Sequence, residues 1–377
     1  MRAGTGDGAG GAGRGLGRAV PTRAQAERRL AQVLARDSAQ TGRGASTDRL
    51  MLMLTRSCEL RCSYCLVGLS EEGRGRDFAG EYAGGRPVGD MPLTTVCAAV
   101  DHLLASPKPR LGLQLFGGEP TRRWDLVELA VSCAINHPQR GARPLVVQLT
   151  TNGLSLDDTR IEWLAARGVV VQLSVDGTGR DNRFRAARGE LDLEAVLARL
   201  RLGPARWFLN VTVPPAGAGE LVERYQHAVA AGVPAVQLNY ATGMQFSERQ
   251  WLEYLDGLAG VLRLDAASPG RVELFNWQNA ADPAPLCGDV ICDVDGTLLQ
   301  VGGIFHEGRF PSLYGAYRRG RLGDGQGFAD TRSTLGELSR RTEAALSPGD
   351  WAVFRSGMLL GAAQDLVCRL ARAEAGR

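Results

Sequence analysis

Short apolar runs alternate with amphipathic segments through residues 46–243. Six runs are typical of strands in a parallel sheet: 48–55, 111–116, 145–150, 169–175, 207–213 and 235–240. Segments of helical period lie between several of them: 92–104, 123–136, 158–167 and 219–231. Strands that alternate with helices predict an α/β fold. Six such units build a partial (β/α)6 TIM-like barrel, open on one side and wide enough for a sizeable substrate.

The pattern changes after residue 243. Ser247 can cap a helix that ends near Leu262, and residues 286–303 form two apolar runs around Asp295 and Gly296, a strong hairpin-turn signal. Residues 334–373 predict two helices separated at 347–349. We therefore expect a small α+β C-terminal extension over residues 244–377, packed against the barrel.

Residues 1–45 form a third region, a basic Gly- and Arg-rich N-terminal tail. Eight of its first seventeen residues are glycine, so its start offers little to bury and is expected to be disordered. Thr22 can cap a short helix with Ala26, Leu30 and Val33 on one face. The tail could bind a partner, but a solvated extension is the simpler expectation.

Composition and charge narrow the class of protein. The chain has 377 residues, 44% of them hydrophobic, which is enough for a large core and two or three structural units. The net charge is +3, and Lys108 is the only lysine. Because no concentrated basic patch with aromatic residues is visible, we do not expect nucleic-acid binding. An Arg-rich coding bias explains the composition.

Cysteine use and hydropathy bear on the compartment. Eight cysteines are spread irregularly over the chain, unlike the framework of a secreted disulfide-rich protein. The N-terminus lacks the apolar core of a signal peptide, and no run is long enough to cross a membrane. These features predict a soluble cytoplasmic protein with no membrane partner.

The sharpest chemical signal is a group of three cysteines just after the first predicted strand: Cys58, Cys62 and Cys65. Three thiolates on a short loop can hold a four-iron cluster and leave one iron open for chemistry. A structural zinc ion would need a fourth ligand, which the neighbouring sequence lacks. A disulfide cannot use an odd number of cysteines.

Three further turns follow later predicted strands in a recognisable order. They are Gly-Gly-Glu-Pro at 117–120, Thr-Asn-Gly at 151–153 and Ser-Val-Asp-Gly at 174–177. Together with the cysteine spacing and the aromatic Tyr64, this set resembles the radical S-adenosylmethionine (SAM) superfamily. Each motif alone is weak, but the strand-end context supports each one.

The resemblance implies a site at the C-terminal ends of the strands, with a [4Fe-4S] cluster on Cys58, Cys62 and Cys65 and SAM on its open iron. It implies that Glu119 faces the methionine ammonium and that the Ser174 turn contacts the ribose and carboxylate of SAM. The residues expected to bind SAM are Tyr64, Gly117, Gly118, Glu119, Pro120, Asn152, Ser174, Asp176, Arg183 and Arg185. For the two arginines, a surface ion pair is an equally simple interpretation.

The C-terminal hairpin resembles the SPASM or twitch extension of peptide-modifying members, where it helps to hold an auxiliary iron-sulfur cluster. This chain departs from that pattern, because Val301, Gly302 and Gly303 stand where relatives usually place a cysteine. Three cysteines remain as auxiliary ligands, with His306 an unusual fourth: Cys287, Cys292 and Cys368. A complete four-cysteine site cannot be built, so the hairpin could instead serve as a platform for the substrate.

The resemblance implies reductive cleavage of SAM, abstraction of hydrogen from a substrate, and an external electron donor such as flavodoxin or ferredoxin.

Neutral polar side chains at the barrel mouth, such as Asn210, Thr212, Gln237 and Asn239, could line its pocket or form hydrogen bonds with one another. A peptide is the expected substrate, with a crosslink, epimer or oxidised residue as product. A small molecule is the alternative, and a non-catalytic metal-binding scaffold is a remote one. No catalytic acid or base can be chosen from the sequence.

Overall fold

A computed structural model describes residues 20–35, 47–65, 89–177, 184–187, 193–278, 286–328 and 333–376. The strands are β1 Thr47–Met53, β2 Leu60–Cys62, β3 Arg110–Phe116, β4 Leu145–Thr151, β5 Val170–Val175, β6 Arg185–Ala187, β7 Arg206–Val213, β8 Ala235–Tyr240, β9 Glu273–Leu274, β10 Val290–Cys292, β11 Thr297–Gln300 and β12 Arg318–Arg321.

The helices are α1 Arg23–Leu34, α2 Leu93–Leu104, α3 Trp124–Asn136, α4 Asp158–Ala166, α5 Leu193–Leu202, α6 Leu221–Ala230, α7 Glu248–Ala267, α8 Gly302–Phe305, α9 Ser312–Tyr317, α10 Leu335–Ala345 and α11 Pro348–Ala375. Short 3-10 helices follow β3 at Pro120–Arg123, β7 at Pro215–Glu220 and β9 at Phe275–Trp277.

One ten-stranded sheet carries the fold, in the order β12-β11-β10-β1-β3-β4-β5-β7-β8-β9. The strands from β1 to β9 in this order pair in parallel, as Leu50 opposite Leu113 and Leu173 opposite Leu209 illustrate. The sheet ends at β12 and β9 within the described residues, so the barrel is not closed. The predicted partial barrel is confirmed, and all six predicted strands lie within two residues of their expected bounds.

The two faces of the central strands differ in polarity. On β4, Val147 and Leu149 are buried beneath the helices, whereas Gln148 and Thr150 line the interior of the barrel. Successive residues of a strand point to opposite faces, so this alternation separates an apolar outer layer from a polar lumen.

The C-terminal hairpin extends the barrel sheet. β10 pairs in parallel with β1, with Leu50 opposite Val290, and β11 returns antiparallel to β10. The predicted turn at Asp295 and Gly296 is present, and Gly296 has a φ of +88°, a conformation that favours glycine. The hairpin therefore continues the sheet at β1, the strand that leads into the cysteine loop.

The N-terminal helix α1 packs against α11. Its Thr22 cap is confirmed, since the Thr22 hydroxyl accepts from the Gln25 amide at 3.3 Å, and Ala26, Leu30 and Val33 are buried. Arg29 Nε donates to Asp365 Oδ2 at 2.7 Å. The expectation of a solvated extension is therefore wrong for residues 20–35. The rest of the predicted tail, 1–19 and 36–45, lies outside the described residues.

Sequence patterns missed the short elements β2, β6, β9, β12, α8 and α9 and the helix α5. These elements have few residues or lie in segments where hydrophobic residues show no clear helix or strand periodicity, so the sequence gives little signal for them. The two C-terminal helices, by contrast, are separated at Ser347 and Pro348 as expected. Within the described residues, no helix has the length and apolar character needed to cross a bilayer.

Candidate active site

Four loops meet at the carboxyl edge of the parallel sheet. The cysteine loop follows β1, the Gly-Gly-Glu-Pro turn follows β3, the Thr-Asn-Gly turn follows β4 and the Ser-Val-Asp-Gly turn ends β5. Because these strands are parallel neighbours, their carboxyl ends share one edge. The four loops enclose a cavity of about 140 Å³. Its lining includes Cys58, Cys62, Cys65, Tyr64, Gly117, Gly118, Glu119, Asn152, Ser174 and Arg185.

The three cysteines lie together on one wall of this cavity. β2, which includes Cys62, pairs antiparallel with β6, and Cys62 lies opposite Arg185. In the described part of the chain, no three Cys, His, Asp or Glu side chains converge closely enough to hold a single metal ion. Three thiolates that line one cavity fit a cluster that takes one thiolate per iron.

Burial in this cavity destabilises charged side chains. Burial raises the pKa of the Cys58 and Cys62 thiols, with Glu119 adding to the effect on Cys58 and Arg185 opposing it at Cys62. Bound metal ions reverse this balance, because a coordinated thiol is deprotonated outright.

Gly117 and Gly118 allow two backbones to approach each other. A Cβ on Gly117 would lie 2.5 Å from the carbonyl oxygen of Thr55, and one on Gly118 would lie 2.5 Å from that of Ser57. The Gly118 and Glu119 amides donate to these same carbonyls at 2.8 Å. The glycines thus hold the Gly-Gly-Glu-Pro turn directly against the start of the cysteine loop, a role that the sequence did not predict.

The buried Glu119 carboxylate connects the second and third turns. Its Oε1 accepts from the Thr121 amide at 3.0 Å and from the Thr151 hydroxyl at 2.7 Å, and its Oε2 accepts from the Asn152 amide at 2.7 Å. Burial raises the pKa of Glu119, while these hydrogen bonds oppose the rise. These donors are all neutral, so the negative charge of the carboxylate can still attract a cation.

Asn152 joins this arrangement to the cysteine loop. Its Nδ2 donates to Glu59 Oε1 at 3.1 Å, and Glu59 also lies 3.7 Å from Arg122. Its Oδ1 accepts from the Leu154 amide at 2.9 Å, which fixes the turn. Glu59 is therefore engaged by the Thr-Asn-Gly turn and does not simply face solvent.

Tyr64, Asp176 and Arg185 form a buried cluster beside the cysteine loop. The Tyr64 hydroxyl donates to Asp176 Oδ1, and Arg185 Nε donates to the same oxygen at 3.1 Å. Burial raises the pKa of Asp176, and Arg185 opposes that rise. The interpretation of Arg185 as a surface ion pair is wrong, since only 9% of the residue is exposed.

Two predicted SAM-binding residues lie behind the cavity wall. Asp176 is fully buried and supports Tyr64 and Arg185, and Pro120 is buried at the start of its 3-10 helix. Neither is among the lining residues. Arg183 lies outside the described residues.

Arg224, on α6, supports the same turn and was not predicted. Its Nη1 donates to the main-chain carbonyl of Asp176, and its Nη2 donates to Glu220 at 2.9 Å. Arg224 is 1% exposed. No sequence signal separates it from the other helix-borne arginines, because its partner turn lies 48 residues away.

Arg56, two residues before the first cysteine, is the second unpredicted element. Its guanidinium donates to Asp293 at 3.1 and 2.6 Å and also to Glu307, and all three side chains are essentially inaccessible. Tyr314 donates to Asp293 Oδ2 at 2.7 Å. This cluster fastens the C-terminal hairpin to the base of the cysteine loop.

The three cysteines considered for an auxiliary cluster lie in different surroundings. Cys292 is fully buried on β10, Cys368 is fully buried on α11, and Cys287 lines a separate, larger cavity. They belong to no metal-binding group among the described residues. His306 is buried against Phe354 and Phe310.

The larger cavity, about 640 Å³, fills the barrel lumen next to the cysteine cavity. The two share Tyr64, Cys65, Phe116, Thr150 and Ser174 as lining residues. Seven carboxamide side chains line the lumen: Gln114, Gln148, Gln172, Asn210, Gln237, Asn239 and Gln278. Its charged lining residues are Arg49 and Asp289, which lie 3.8 Å apart.

Several carboxamides of the lumen form hydrogen bonds with neighbouring lumen side chains. Asn239 donates to Asn210 at 2.7 Å, Gln148 donates to Gln172, and Gln114 donates to Thr150 at 2.9 Å. Each carboxamide offers two donors and two acceptor sites. The sequence left open whether these side chains line a pocket or satisfy each other, and they do both.

Part of this chain is similar to known proteins. Residues 52–212 match the family described as the Radical SAM superfamily. GTP 3',8-cyclase of Stenotrophomonas maltophilia is 29% identical over 219 residues, 57% of this chain and 53% of that protein. PqqA peptide cyclase of Ruegeria pomeroyi is 33% identical over 135 residues, 35% of this chain and 30% of that protein.

The solved structure of native anSMEcpe with bound AdoMet shares the fold. It superposes with a TM-score of 0.60 at 15% identity, over 80% of this chain and 82% of that chain. The chain spans about half the length of the GTP 3',8-cyclase, with 53% covered. None of these comparisons identifies a SPASM or twitch extension. Residues 52–212 are therefore a radical SAM domain.

Proposed function

We propose that this protein is a radical SAM enzyme that modifies a peptide. One observation supports the assignment as a radical SAM enzyme: three cysteines and the turns that contain Glu119, Asn152 and Ser174 surround the same cavity. Cys58, Cys62 and Cys65 would hold a [4Fe-4S] cluster there, and the cluster would supply the one-electron chemistry for reductive cleavage of SAM and hydrogen abstraction from a substrate. An external donor such as flavodoxin or ferredoxin would provide the electron, and a cytoplasmic location remains our prediction.

Each wall of the cavity has a defined part in this proposal. Cys58, Cys62 and Cys65 hold the cluster, and the Glu119 carboxylate faces the ammonium of SAM. Ser174 offers a hydroxyl at the junction of the two cavities, where the nucleoside of SAM would lie. Among the other residues predicted to bind SAM, Tyr64 and Arg185 line the cysteine cavity, and Asp176 supports both of them from behind the lining.

The lumen supports a peptide as the substrate. A carboxamide presents the same N–H and C=O groups as a peptide bond, so a wall of carboxamides can pair with an extended main chain. The lumen adjoins the cysteine cavity, as a substrate that yields hydrogen to a nearby radical requires. PqqA peptide cyclase is named for a peptide substrate, and anSMEcpe has been solved with bound peptides.

The same lining disfavours a nucleoside triphosphate, the substrate named in GTP 3',8-cyclase. Recognition of phosphate groups depends on arginine, lysine or a metal ion. Arg49 is the only cation among the described lumen residues, and it pairs with Asp289. The carboxamides would leave a triphosphate without charge compensation.

The decisive experiment compares the wild type with a variant in which Cys58, Cys62 and Cys65 are all alanine. After anaerobic reconstitution, we expect about four irons per wild-type chain and almost none in the variant. With dithionite and SAM, only the wild type should form 5'-deoxyadenosine. A folded wild-type protein that binds no iron and cleaves no SAM would refute the proposal and favour a scaffold.

The substrate class is tested with the same loaded enzyme. A library of uncharged peptides should raise 5'-deoxyadenosine formation above the substrate-free rate. A matched library with two acidic residues in each peptide should not, and GTP should be recovered unchanged. Conversion of GTP, or stimulation by the acidic library alone, would overturn the assignment of an uncharged peptide.

A further inference from the structure

Two cysteines outside the active site lie in direct contact. Cys97, on α2, and Cys133, on α3, have sulfur atoms 3.2 Å apart. Both side chains are partly buried. A disulfide bond needs a sulfur–sulfur distance of about 2.05 Å, so a modest rotation of the two side chains would bring them within bonding distance.

The surroundings favour a thiol pair over a metal site. One turn further along, His137 Nε2 lies 3.0 Å from Asp101 Oδ1, and the Gln139 amide donates to His137 Nδ1 at 3.1 Å. Both imidazole nitrogens are therefore engaged, and no metal-binding group of three side chains occurs among the described residues. The Asp101–His137 contact instead holds α2 and α3 together next to the cysteines.

The remaining thiols outside the active site have no comparable arrangement. Cys292 and Cys368 are fully buried in the core, and Cys287 lines the barrel lumen. Cys97 and Cys133 instead have their sulfur atoms in contact at 3.2 Å. Burial raises the pKa of Cys133 to about 11, and Cys97 adds to that rise, so Cys133 is a thiol at neutral pH.

We propose that Cys97 and Cys133 form an oxidative modification site, which a small-molecule disulfide such as oxidised glutathione converts to an intramolecular disulfide. The thiolate of one cysteine attacks the oxidant and expels one glutathione thiolate. The second cysteine then attacks the mixed disulfide and expels the other. The two protein thiols are oxidised, their two protons pass to the glutathiones, and two molecules of reduced glutathione leave.

The bond would join the two helices behind the active-site strands. α2 and α3 cover the sheet at β1 and β3, which carry the cysteine loop and the Gly-Gly-Glu-Pro turn. The crosslink closes a loop between positions 36 residues apart, which restricts the unfolded chain. The oxidised protein should therefore unfold at a temperature a few degrees higher. This site is independent of the proposed peptide chemistry.

The test uses the full-length protein with the three active-site cysteines replaced by alanine, so that they cannot compete. Oxidised glutathione is added to the reduced protein, and free thiols are blocked with iodoacetamide before peptide mapping. We expect a mass lower by two hydrogens and a linked pair of peptides containing Cys97 and Cys133. If this variant is misfolded, the same mapping is done on cluster-loaded wild-type protein.

Matched serine variants separate this pair from general thiol oxidation. Cys97→Ser should abolish the loss of two hydrogens and leave Cys133 free or bound to one glutathione. Cys287→Ser, at another partly buried thiol, should leave the 97–133 crosslink unchanged. The proposal is overturned if Cys97 and Cys133 are both alkylated after oxidation, or if the crosslink that forms involves Cys287.

Discussion

At the residue scale, the site depends on buried charges whose partners are distant in sequence. Glu119 is 1% exposed and receives hydrogen bonds from two other turns, and Asp176 is held by Arg185 and by Tyr64. Burying a carboxylate is costly unless hydrogen bonds or a cation compensate. Both carboxylates therefore contribute through their charge, and neutral substitutes of the same shape test that contribution.

We predict that Glu119→Gln weakens SAM binding by about tenfold or more while iron content stays near that of the wild type. The substituted amide loses one acceptor position, and the attraction to an ammonium disappears, each effect worth about 1.5–3 kcal/mol for a charged hydrogen bond. Equilibrium dialysis of SAM against iron-matched samples measures the change. Glu59→Gln, with 25% side-chain exposure, is the control and should have a smaller effect. Equal affinities for wild type and Glu119→Gln would contradict the assigned role.

His102 predicts a pH dependence of stability. It lies in the last turn of α2 against Phe328, its Nε2 has no hydrogen-bond partner among the described residues, and burial lowers its pKa. Below about pH 6.5 the unfolded chain binds a proton at this residue and the folded chain does not. Stability should thus be greatest above pH 6.5 and decline as the pH falls towards the lowered pKa.

The measurement is chemical denaturation of wild type and His102→Leu at several pH values between 5 and 8. The variant should lose less stability than the wild type as the pH falls through this window. An identical decline in both proteins would mean that other groups cause it.

At the element scale, the cysteine loop is held between a glycine turn and the C-terminal hairpin. The backbone carbonyls of Thr55 and Ser57 receive the turn, and Arg56 between them reaches Asp293 and Glu307. Thr55 and Ser57 therefore bond to the glycine turn, whereas Arg56 between them bonds to Asp293 and Glu307. The hairpin, which the sequence suggested as a platform for the substrate, supports the cysteine loop through Asp293.

We predict that Gly118→Ala disrupts the cysteine loop, because its Cβ would meet backbone atoms of Ser57 at 2.5 and 2.7 Å. Backbone atoms cannot move aside as a flexible side chain can, so the turn must separate from the loop. Iron bound after reconstitution should fall to less than about half of the roughly four irons expected for an intact cluster. Gly349→Ala is the matched control, since nothing lies within 4 Å of its added Cβ. Full iron loading of Gly118→Ala would refute the close-approach argument.

Asp293→Asn tests the other side of the loop. The substituted amide loses the charge and one of the two oxygens that accept from Arg56, while Glu307 remains as an anionic partner, so the change should cost about 1.5–3 kcal/mol of unfolding free energy. Asp125→Asn removes an exposed partner of Arg123 and should cost less than about 1 kcal/mol. Urea denaturation of the cluster-free proteins gives both values. A loss for Asp293→Asn no larger than the control would mean that the pair does not support the loop.

The sequence predicted the six strands, the order of the motifs and the convergence of Cys58, Glu119, Asn152 and Ser174, because all follow from periodicity and from parallel topology. It could not predict Arg56 or Arg224. Arg56 meets Asp293 across 237 residues, and Arg224 meets a main-chain carbonyl, which carries no sequence signature. The resemblance also implied that Asp176 binds SAM, whereas the chain bends after β5 and Asp176 is buried behind the cavity lining.

At the scale of the whole molecule, the helices α1 and α11 pack together beside the barrel. α1 packs on α11, and α11 meets the barrel where the Tyr240 hydroxyl donates to the Gly357 carbonyl at 2.8 Å. Arg29 and Asp365 form a buried ion pair between the two helices at 2.7 Å. Ala26 and Leu30 belong to the same hydrophobic cluster as the barrel strands. The N-terminal helix is therefore expected to unfold together with the radical SAM domain.

Leu30→Ala tests this coupling. Leu30 is 4% exposed, so truncation should remove about 2–5 kcal/mol and shift the whole unfolding transition to lower denaturant. Circular dichroism and tryptophan fluorescence should report the same shifted midpoint, because a single cooperative core includes both α1 and the barrel. Arg28→Ala, at an exposed position of the same helix, should change stability by less than about 0.5 kcal/mol. If Leu30→Ala instead adds an early phase by circular dichroism and leaves the main midpoint unchanged, α1 is an independent appendage, and the barrel folds without it.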